Sequence, residues 1–151
     1  MTTKPSTDLQ FAFVEAIGVT SRKMRKAYDQ RVAQLGLTFA RARVLTLLAA
    51  HKTCNQSVLA CELELEKPTL VRMLDRMAEL DLVERVPDPN DRRVNLVRLR
   101  PHGEAMAKQL LIERAGFINA FFTPADDQAL QDATRLLQAI AERIENTEAH
   151  S

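Results

Sequence analysis

The sequence DPNDRRVNLVRLRPHG, residues 88–103, decides how this chain is expected to fold. It opens with turn-forming residues, continues with alternating apolar and polar residues and ends near a proline, which is typical of the second half of a β-hairpin. Residues 82–86, LVERV, supply the first strand, and residues 94–99, VNLVRL, supply the second. The loop between them, PDPNDRR, is too long for a two-residue turn, so we expect it to project with Arg92 and Arg93 near its tip.

Helical patterns lie on both sides of this hairpin. From Asp8 to Leu35, apolar residues recur at three- and four-residue steps, which predicts an amphipathic helix that stops at about Gly36. Thr38 is a suitable N-cap for a second helix that continues to about Ala50. The segment that follows, HKTCNQS, is polar and breaks the helical pattern.

Two further helices are predicted between this break and the hairpin. Asn55 can cap the first, QSVLACEL, and the second starts near Glu66 with Pro68 in its first turn. The apolar stripe of the second helix consists of Leu70, Met73, Leu74 and Met77. A helix as short as the first is marginal by itself, so we expect it to brace the second.

Two long helices are predicted after the hairpin. Pro101 ends the second strand, and a helix runs from about His102 to Phe122. Thr123 can cap a last helix, whose apolar residues recur at alternating three- and four-residue steps. That spacing is typical of a helix that packs along another helix. The apolar residues in question are Leu130, Ala133, Leu137, Ile140 and Ile144.

The fold predicted from these elements is mainly α with a small β-hairpin wing. Residues 37–100 form a winged helix–turn–helix unit, in which a short helix–turn–helix precedes the hairpin. Long helices within residues 8–36 and 101–148 flank that unit, and residues 1–7 form a flexible tail.

Charge is distributed unevenly along the 151 residues, although the formal net charge is only +1. Residues 1–50 carry eight Lys and Arg against three Asp and Glu, whereas residues 101–151 carry four against eight. Such asymmetry can place one face against phosphate and keep the other away. Because no stretch approaches the length of a membrane span and the first residues lack a signal peptide's apolar core, we expect a cytoplasmic protein with no membrane partner.

The fourth helix has a polar face suited to a DNA major groove. At a hundred degrees per residue, Thr69, Arg72 and Arg76 lie together, and Lys67 lies at the helix entrance. Arginine can bond two acceptors on guanine, and threonine can contact a thymine methyl group or a phosphate. The alternative is an ordinary solvated face, in which the arginines pair with Asp75 or Glu79.

The hairpin loop offers a second possible DNA contact. An arginine at its tip, Arg92 or Arg93, can enter a narrow minor groove while the fourth helix occupies the neighbouring major groove. Asp91 can bond Arg93 or the loop backbone and stiffen the tip, so that less entropy is lost on binding. The alternative is a turn with ordinary surface charges.

The hairpin and the helices before it resemble the MarR family of transcription regulators. The run from Asp91 to Arg100, with Asp88-Pro89 before it and Pro101 and Gly103 after it, is similar to that family's wing signature. The resemblance extends over nearly the whole chain. Its other matching residues are Leu37-Thr38 and Arg43-Val44-Leu45 in the second helix, Gln56, Leu59 and Ala60 in the third, and Leu65 through Leu74 with Leu82-Val83-Glu84-Arg85 in the recognition helix and first wing strand.

The resemblance implies a homodimeric winged helix–turn–helix repressor of a pseudo-palindromic operator in double-stranded DNA. The helices within residues 8–36 and 101–148 would form the dimerisation region, and the two recognition helices would face successive major grooves about 34 Å apart. The positions that match the family's DNA contacts are Lys67, Pro68, Thr69, Arg72 and Arg76 in the fourth helix, and Asp91, Arg92 and Arg93 in the wing.

Many members of the family release DNA when a small aromatic acid binds between the dimer helices and the DNA-binding unit. A carboxylate there would need a cation beside apolar walls. The candidate effector-binding residues are Arg22, Lys26, Arg41, Arg43 and His51. The alternative is that these basic residues contact phosphate or water.

Two positions depart from the family's pattern. Glu66 stands where a serine cap is common, and we expect its carboxylate to cap the fourth helix weakly. Arg100 replaces a common threonine after the second strand, and we expect it to matter little or to add a backbone contact.

The two cysteines are expected to be reduced thiols. Cys61, on the third helix, is predicted to be a small core residue, whereas Cys54, in a loop, is predicted to be exposed. Redox sensing through either cysteine remains an alternative function, although the first helix lacks the cysteine through which some family members sense oxidants. Two cysteines seven residues apart, with His51 as the only nearby histidine, do not predict a metal site.

No combination of residues points to catalysis or to a cofactor. The three histidines stand in no nucleophile–base arrangement, and there is no glycine-rich phosphate loop, zinc motif or carboxylate pair. The sequence therefore predicts that the chain is not an enzyme. Two rival functions remain: a winged-helix module that binds a protein partner, and a small-molecule-binding enzyme.

Overall fold

The computed structural model describes residues 5–91, 93–123 and 126–148. Within those ranges the helices are α1 (Thr7–Ala33), α2 (Phe39–His51), α3 (Gln56–Leu63), α4 (Lys67–Glu79), α5 (Pro101–Asn119) and α6 (Asp127–Glu148). The strands are β1 (Thr53–Asn55), β2 (Val83–Pro87) and β3 (Asn95–Leu99). The chain divides into two compact units, residues 1–114 and 115–151, with the boundary inside α5. The mainly α fold with a hairpin wing is as predicted.

Side-chain caps explain where several helices begin. Ser6 Oγ accepts a hydrogen bond from Leu9 N at 3.4 Å, so α1 starts at Thr7, inside the segment predicted to be a tail. Thr38 Oγ1 caps α2 by accepting from Arg41 N at 3.4 Å, as predicted. The carboxylate of Glu66 makes no capping hydrogen bond among the described residues, so the expected weak cap on α4 is wrong.

The connection from α1 to α2 depends on a glycine. Helix α1 ends at Ala33, and the amide of Leu37 donates to Val32 O at 3.1 Å. Gly36 has φ +73° in this turn, a backbone conformation that costs glycine little because it has no β-carbon. The predicted helix stop at Gly36 is therefore confirmed, with the last helical residue three positions earlier.

The β-sheet has one strand more than the sequence predicts. Its order is β1-β3-β2, and both pairings are antiparallel. The hairpin register places Arg85 opposite Val97, while Cys54 pairs with Val97 from the other side. Residues 53–55 were expected to be part of a break between helices, but they form an edge strand. The wing is therefore joined to the segment that leads into α3.

One hydrophobic cluster, with side chains drawn from between Tyr28 and Leu110, forms the core of the first unit. The predicted stripe of α4 enters it through Leu70, Leu74 and Met77, each at most 1% exposed. Val97, at the centre of β3, is completely buried in the same cluster. Because one face of α4 is fixed in the core by these side chains, its opposite face points outward.

The second unit contains the end of α5 and all of α6. Helix α5 ends at Asn119, three residues before the predicted end, and the rings of Phe117 and Phe121 meet edge to face at 4.7 Å. Asp126 Oδ2 accepts hydrogen bonds from Thr123 N at 2.7 Å and from Thr123 Oγ1 at 2.9 Å. These bonds lower the pKa of the Asp126 carboxyl below its ordinary range.

Helix α6 exposes its apolar residues. None of residues 127–148, all of which are described, is buried. The predicted seam is present as a half-buried or exposed row that consists of Leu130, Ala133, Leu137, Ile140 and Ile144. Within the described part of the chain, no helix combines the length and the apolar character needed to span a membrane.

Candidate nucleic-acid interface

Helix α4 presents the polar face that the sequence predicts. Pro68 lies in its first turn, where the missing N–H costs little, and the buried stripe fixes the rotation of the helix. All five candidate positions on the helix are solvent-exposed: Lys67, Pro68, Thr69, Arg72 and Arg76. The outward face of α4 thus carries three cations and one hydroxyl.

The arginines on this face differ in their partners. Arg76 Nη1 lies 2.8 Å from Glu79 Oε2, an ion pair within the helix, as the solvated-face alternative predicts for it. Arg72 Nε donates to Pro68 O at 3.4 Å and has no acidic partner among the described residues. Asp75, the other predicted partner, pairs with Arg85 instead. Arg72 is therefore the arginine on α4 whose charge is not locally compensated.

The loop between β2 and β3 is stiffened by its own polar groups. Asp91 Oδ1 accepts from both Arg93 N (3.0 Å) and Arg93 Nε (3.1 Å), and Asp91 Oδ2 accepts from Arg93 Nη2 at 3.2 Å. The Arg93 side chain nevertheless remains 90% exposed. The predicted contact from Asp91 to Arg93 is confirmed. Arg92 lies outside the described residues.

The charge state of Asp91 follows from these bonds. The side-chain hydrogen bond from Arg93 and then the backbone hydrogen bond from Arg93 lower the pKa of Asp91 from its ordinary value of 3.8. Asp88 adds a second restraint, because its carboxylate accepts from Asn90 N at 2.8 Å and its amide donates to Val94 O at 2.9 Å. A backbone hydrogen bond therefore connects the two sides of the loop that carries Arg93.

Three ion pairs near the wing were not predicted. Arg98 Nε lies 2.6 Å from Glu84 Oε1 on the neighbouring strand. The other two join different elements: Arg85 with Asp75 at 2.7 Å, and Arg100 with Asp81 at 2.9 Å. The strand register could have indicated the first pair, because Glu84 and Arg98 are directly opposite. Arg100 and Asp81 are both about half exposed, so their pair is expected to contribute little to the free energy of unfolding.

Helix α3 lies before α4 and is anchored at both ends. Asn55 Oδ1 accepts from Val58 N at 2.8 Å, which confirms the predicted cap. At the other end, Arg43 Nη2 donates to Glu62 O at 2.6 Å. Leu59 and Leu63 enter the core from this helix. These restraints suit the bracing role predicted for α3.

The predicted effector-binding residues are scattered over two helices. Arg22 and Lys26 are exposed on α1, Arg41 is half-buried on α2, and His51 is the exposed last residue of α2. Arg43 is half-buried on α2, and its Nη2 donates to Glu62 O in α3 at 2.6 Å.

An open groove lies between α3 and α4, on a different part of the surface. None of the five predicted residues belongs to its described lining, which consists of Ser57, Ala60, Cys61, Glu64, Leu65, Glu66, Lys67 and Pro68. The groove therefore does not support the predicted effector residues.

The two cysteines have the reverse of their predicted environments. Cys61 is exposed on α3, and Cys54 is partly buried in β1. Burial, followed by the nearby charge of Glu62, raises the pKa of the Cys54 thiol. Sequence reasoning failed here because β1 was not recognised, and that strand carries Cys54 toward the core. Within the described ranges, no three His, Cys, Asp or Glu side chains are grouped as metal ligands would be.

Comparisons with known proteins agree with this geometry. Residues 37–94 match the family model described as MarR family. The multiple antibiotic resistance protein MarR of Escherichia coli (strain K12) is 31% identical over 93 residues, which are 62% of this chain and 65% of that protein. The match therefore spans slightly less than two thirds of this relative's length.

Two solved structures are similar over most of the chain. The transcriptional regulator PA3341 is 32% identical with a TM-score of 0.81, and the match covers 89% of this chain and 98% of that chain. A mutant of E. coli MarR complexed with operator DNA has a TM-score of 0.68 at 22% identity, covering 89% of this chain and 99% of that chain. At that identity the second likeness concerns the fold alone.

Proposed function

Because this chain belongs to the MarR family of transcription regulators, we propose that it is a homodimeric repressor that binds a pseudo-palindromic operator in double-stranded DNA. The named relatives are transcription regulators, which confirms the prediction that the chain is not an enzyme. DNA as the partner is supported by the family to which the chain belongs and by its 32% identity to PA3341, a transcriptional regulator.

The observation that carries the proposal is the exposed cationic face of α4 beside a stiffened wing in the same compact unit. Thr69, Arg72 and Arg76 are proposed to contact base edges in the major groove. Lys67 and the rest of the N-terminal turn of α4, which includes Pro68, would bind phosphate. Phosphate contacts would supply most of the affinity, and base contacts would supply the sequence preference.

The wing is proposed to supply the minor-groove contact. Arg93 is the candidate because its side chain is 90% exposed on a loop that Asp91 restrains. Arg92 is carried over from the family pattern as its neighbour. Since Asp91 already holds the Arg93 guanidinium, less side-chain entropy is lost when Arg93 meets a phosphate or a narrow groove.

Dimerisation is proposed to use residues 8–36 and 101–148, with the DNA-binding unit at residues 37–100. Large apolar side chains are exposed on the helices of both flanking regions, more than an isolated subunit would normally show. They include Leu9, Phe11, Val14 and Ile17 on α1, Leu111 and Ile112 on α5, and Leu136, Leu137 and Ile144 on α6. Burial of these side chains against a second copy would remove them from water.

The proposal includes release of DNA by a small acid, and aromatic acids are the first candidates. Arg22, Lys26, Arg41, Arg43 and His51 are its candidate contacts, and a cytoplasmic location would suit a regulator of this kind. A redox alternative rests on Cys61, whose thiol is exposed. Cys54 is a poorer sensor because its raised pKa reduces the thiolate fraction.

The test begins with selection of preferred duplexes from a random pool, followed by fluorescence anisotropy at several salt concentrations. We expect a palindromic preference and a steep salt dependence. Arg72→Ala should cost about 1–3 kcal/mol on the preferred site and relax its sequence, whereas Arg93→Ala should weaken binding uniformly and lower the salt slope by about 1. Arg135→Ala, which removes an exposed arginine from the acidic α6, is the matched control and should bind as wild type.

Two results would contradict the proposal. If the wild-type protein showed neither a steep salt dependence nor a preferred duplex sequence, the alternative of a protein-interaction module would be favoured. Wild-type affinity in both Arg72→Ala and Arg93→Ala would show that the assigned residues are wrong.

A further inference from the structure

One ion pair connects the two elements that are proposed to occupy different grooves. Arg85 lies on β2, the first strand of the wing, and its Nη1 is 2.7 Å from Asp75 Oδ1 on α4. Its Nη2 donates to Val71 O at 3.5 Å. Val71 and Asp75 are one helical turn apart, so a single guanidinium spans a turn of α4.

The surroundings of Arg85 restrain both ends of this contact. On the strand side, Arg85 is opposite Val97, which is completely buried at the centre of the three-stranded sheet. On the helix side, Asp75 follows Leu74, which is 1% exposed and fixes the rotation of α4. The Arg85 side chain itself is only 29% exposed. The pair therefore joins two elements that are each held in the core.

This pair differs from the two ion pairs that involve proposed DNA contacts. Arg76 and Glu79 lie three residues apart on one helix, and Arg93 and Asp91 lie two residues apart in one loop. Those pairs can set only local side-chain positions. Arg85, in contrast, can set the position of the whole wing relative to α4.

We infer that Arg85, held by Asp75, is a positioning residue for DNA recognition, because it fixes the offset between the wing and α4 so that both reach neighbouring grooves together. The inference rests on the proposed function. A partly exposed ion pair contributes little to the free energy of unfolding. Its effect on recognition is separate. Without the pair, the position of the wing relative to α4 would have to be fixed when DNA binds, and the entropy lost would lower the affinity for the operator, which α4 and the wing both contact.

Removal of Asp75 distinguishes positioning from simple electrostatics. Asp75 is an acidic group on the helix proposed to face DNA, and its side chain is 53% exposed. If charge alone mattered, Asp75→Ala would strengthen binding to every duplex, because it removes repulsion from phosphate and frees Arg85. If the pair positions the wing, Asp75→Ala should instead have a weaker preference than the wild-type protein for the selected operator over a random duplex.

The experiment measures affinities of the full-length variants for the selected operator and for a random duplex of equal length. Asp75→Ala and Arg85→Met are each expected to lower the ratio of the two affinities by roughly 3- to 10-fold, and the double variant by no more than either single one. Glu66→Gln is the matched control, since it also removes an acidic charge beside α4, at a side chain that makes no capping hydrogen bond to the helix, but leaves the link to the wing intact. It should strengthen binding to both duplexes and leave their ratio unchanged.

A second measurement asks whether the wing still contributes. Arg93→Ala should weaken operator binding less in the Asp75→Ala background than in the wild-type background, because a wing whose offset from α4 is fixed only through the core varies more in position and contributes less. Thermal unfolding should place all these variants within about 5 °C of wild type. A residue with a merely structural role would change the melting temperature and leave both the affinity ratio and the effect of Arg93→Ala as they are.

The inference is overturned if Asp75→Ala strengthens binding to both duplexes equally, as is expected of Glu66→Gln, or if Arg93→Ala costs the same in both backgrounds. Failure of the proposed function gives a different result, because the wild-type protein would then show no operator preference from which to measure a ratio.

Discussion

Gly103 lies so close to the main-chain carbonyl of Leu82 that a β-carbon at Gly103 would be 2.0 Å from that oxygen. The same oxygen accepts a hydrogen bond from Arg100 N at 3.0 Å. The first turn of α5 is therefore packed directly on the start of the wing's first strand. Only a residue without a side chain allows this approach, because the contact is with backbone and cannot be relieved by a rotamer change.

Gly103→Ala is expected to destabilise the protein by about 3 kcal/mol or more, since α5 or β2 must shift to admit the methyl group. Chemical denaturation monitored by circular dichroism measures this change. Gly116→Ala is the matched control in the same helix, because nothing lies within 4 Å of a β-carbon there. It should stabilise the helix by about 0.5–1 kcal/mol. Equal effects of the two substitutions would contradict the packing described.

The two cysteines should react at different rates with a thiol reagent. Cys61 is exposed, whereas Cys54 is partly buried and its pKa is raised by burial. A raised pKa leaves less thiolate at a given pH, and the thiolate is the nucleophile. Iodoacetamide at pH 8 should therefore modify Cys61 first, as peptide mass spectrometry can show. Faster modification of Cys54 in the folded protein would contradict the assigned position of β1.

The bond between Asp91 and Arg93 should be lost in acid. Since the hydrogen bonds from Arg93 lower the pKa of Asp91 below 3.8, Asp91 stays ionised from neutral pH down to that range. The contribution of this bond is present above the unfolded-state pKa and disappears as the pH falls through the lower folded-state pKa. Nuclear magnetic resonance titration of the Asp91 carboxyl should give a midpoint that rises in Arg93→Ala. An unchanged midpoint would mean that Arg93 does not hold Asp91.

Sequence patterns predict those parts of the fold that depend on neighbouring residues. Thr38 and Asn55 cap helices within three residues of themselves, and Asp91 bonds Arg93 two residues away. Side-chain type and spacing are enough to predict such contacts. The buried stripe of α4 was predictable for the same reason, because helical periodicity determines which residues share a face.

The remaining features depend on residues that are distant in sequence. Strand β1 has three residues, too few for an alternation pattern, and it exists because β3 supplies its hydrogen-bond partner. The partial burial of Cys54 follows from that strand, whereas Cys61 is exposed because α3 buries Leu59, Ala60 and Leu63 instead. The pairing of Arg85 with Asp75 requires the angle between β2 and α4, which tertiary packing determines. These residues could not have been chosen from the sequence alone.

The apolar row on α6 should be required for the proposed dimer. Leu137 is 41% exposed in the single chain, and in a two-fold interface it would occur twice. Leu137→Glu removes about 1.5 kcal/mol of burial from each copy and adds two charges, so we expect the dimer to weaken by roughly 100-fold or more. Sedimentation equilibrium should then give a mass near the 17.0 kDa of one chain.

Gln131→Glu adds the same charge on the side of α6 away from the apolar row and serves as the control, which should keep the wild-type mass. Operator binding should fall with dimerisation in Leu137→Glu, because one subunit presents only one α4 to the palindrome. If Leu137→Glu instead remained a dimer with full operator affinity, the subunits would associate through some other surface, and the apolar row of α6 would need a different partner.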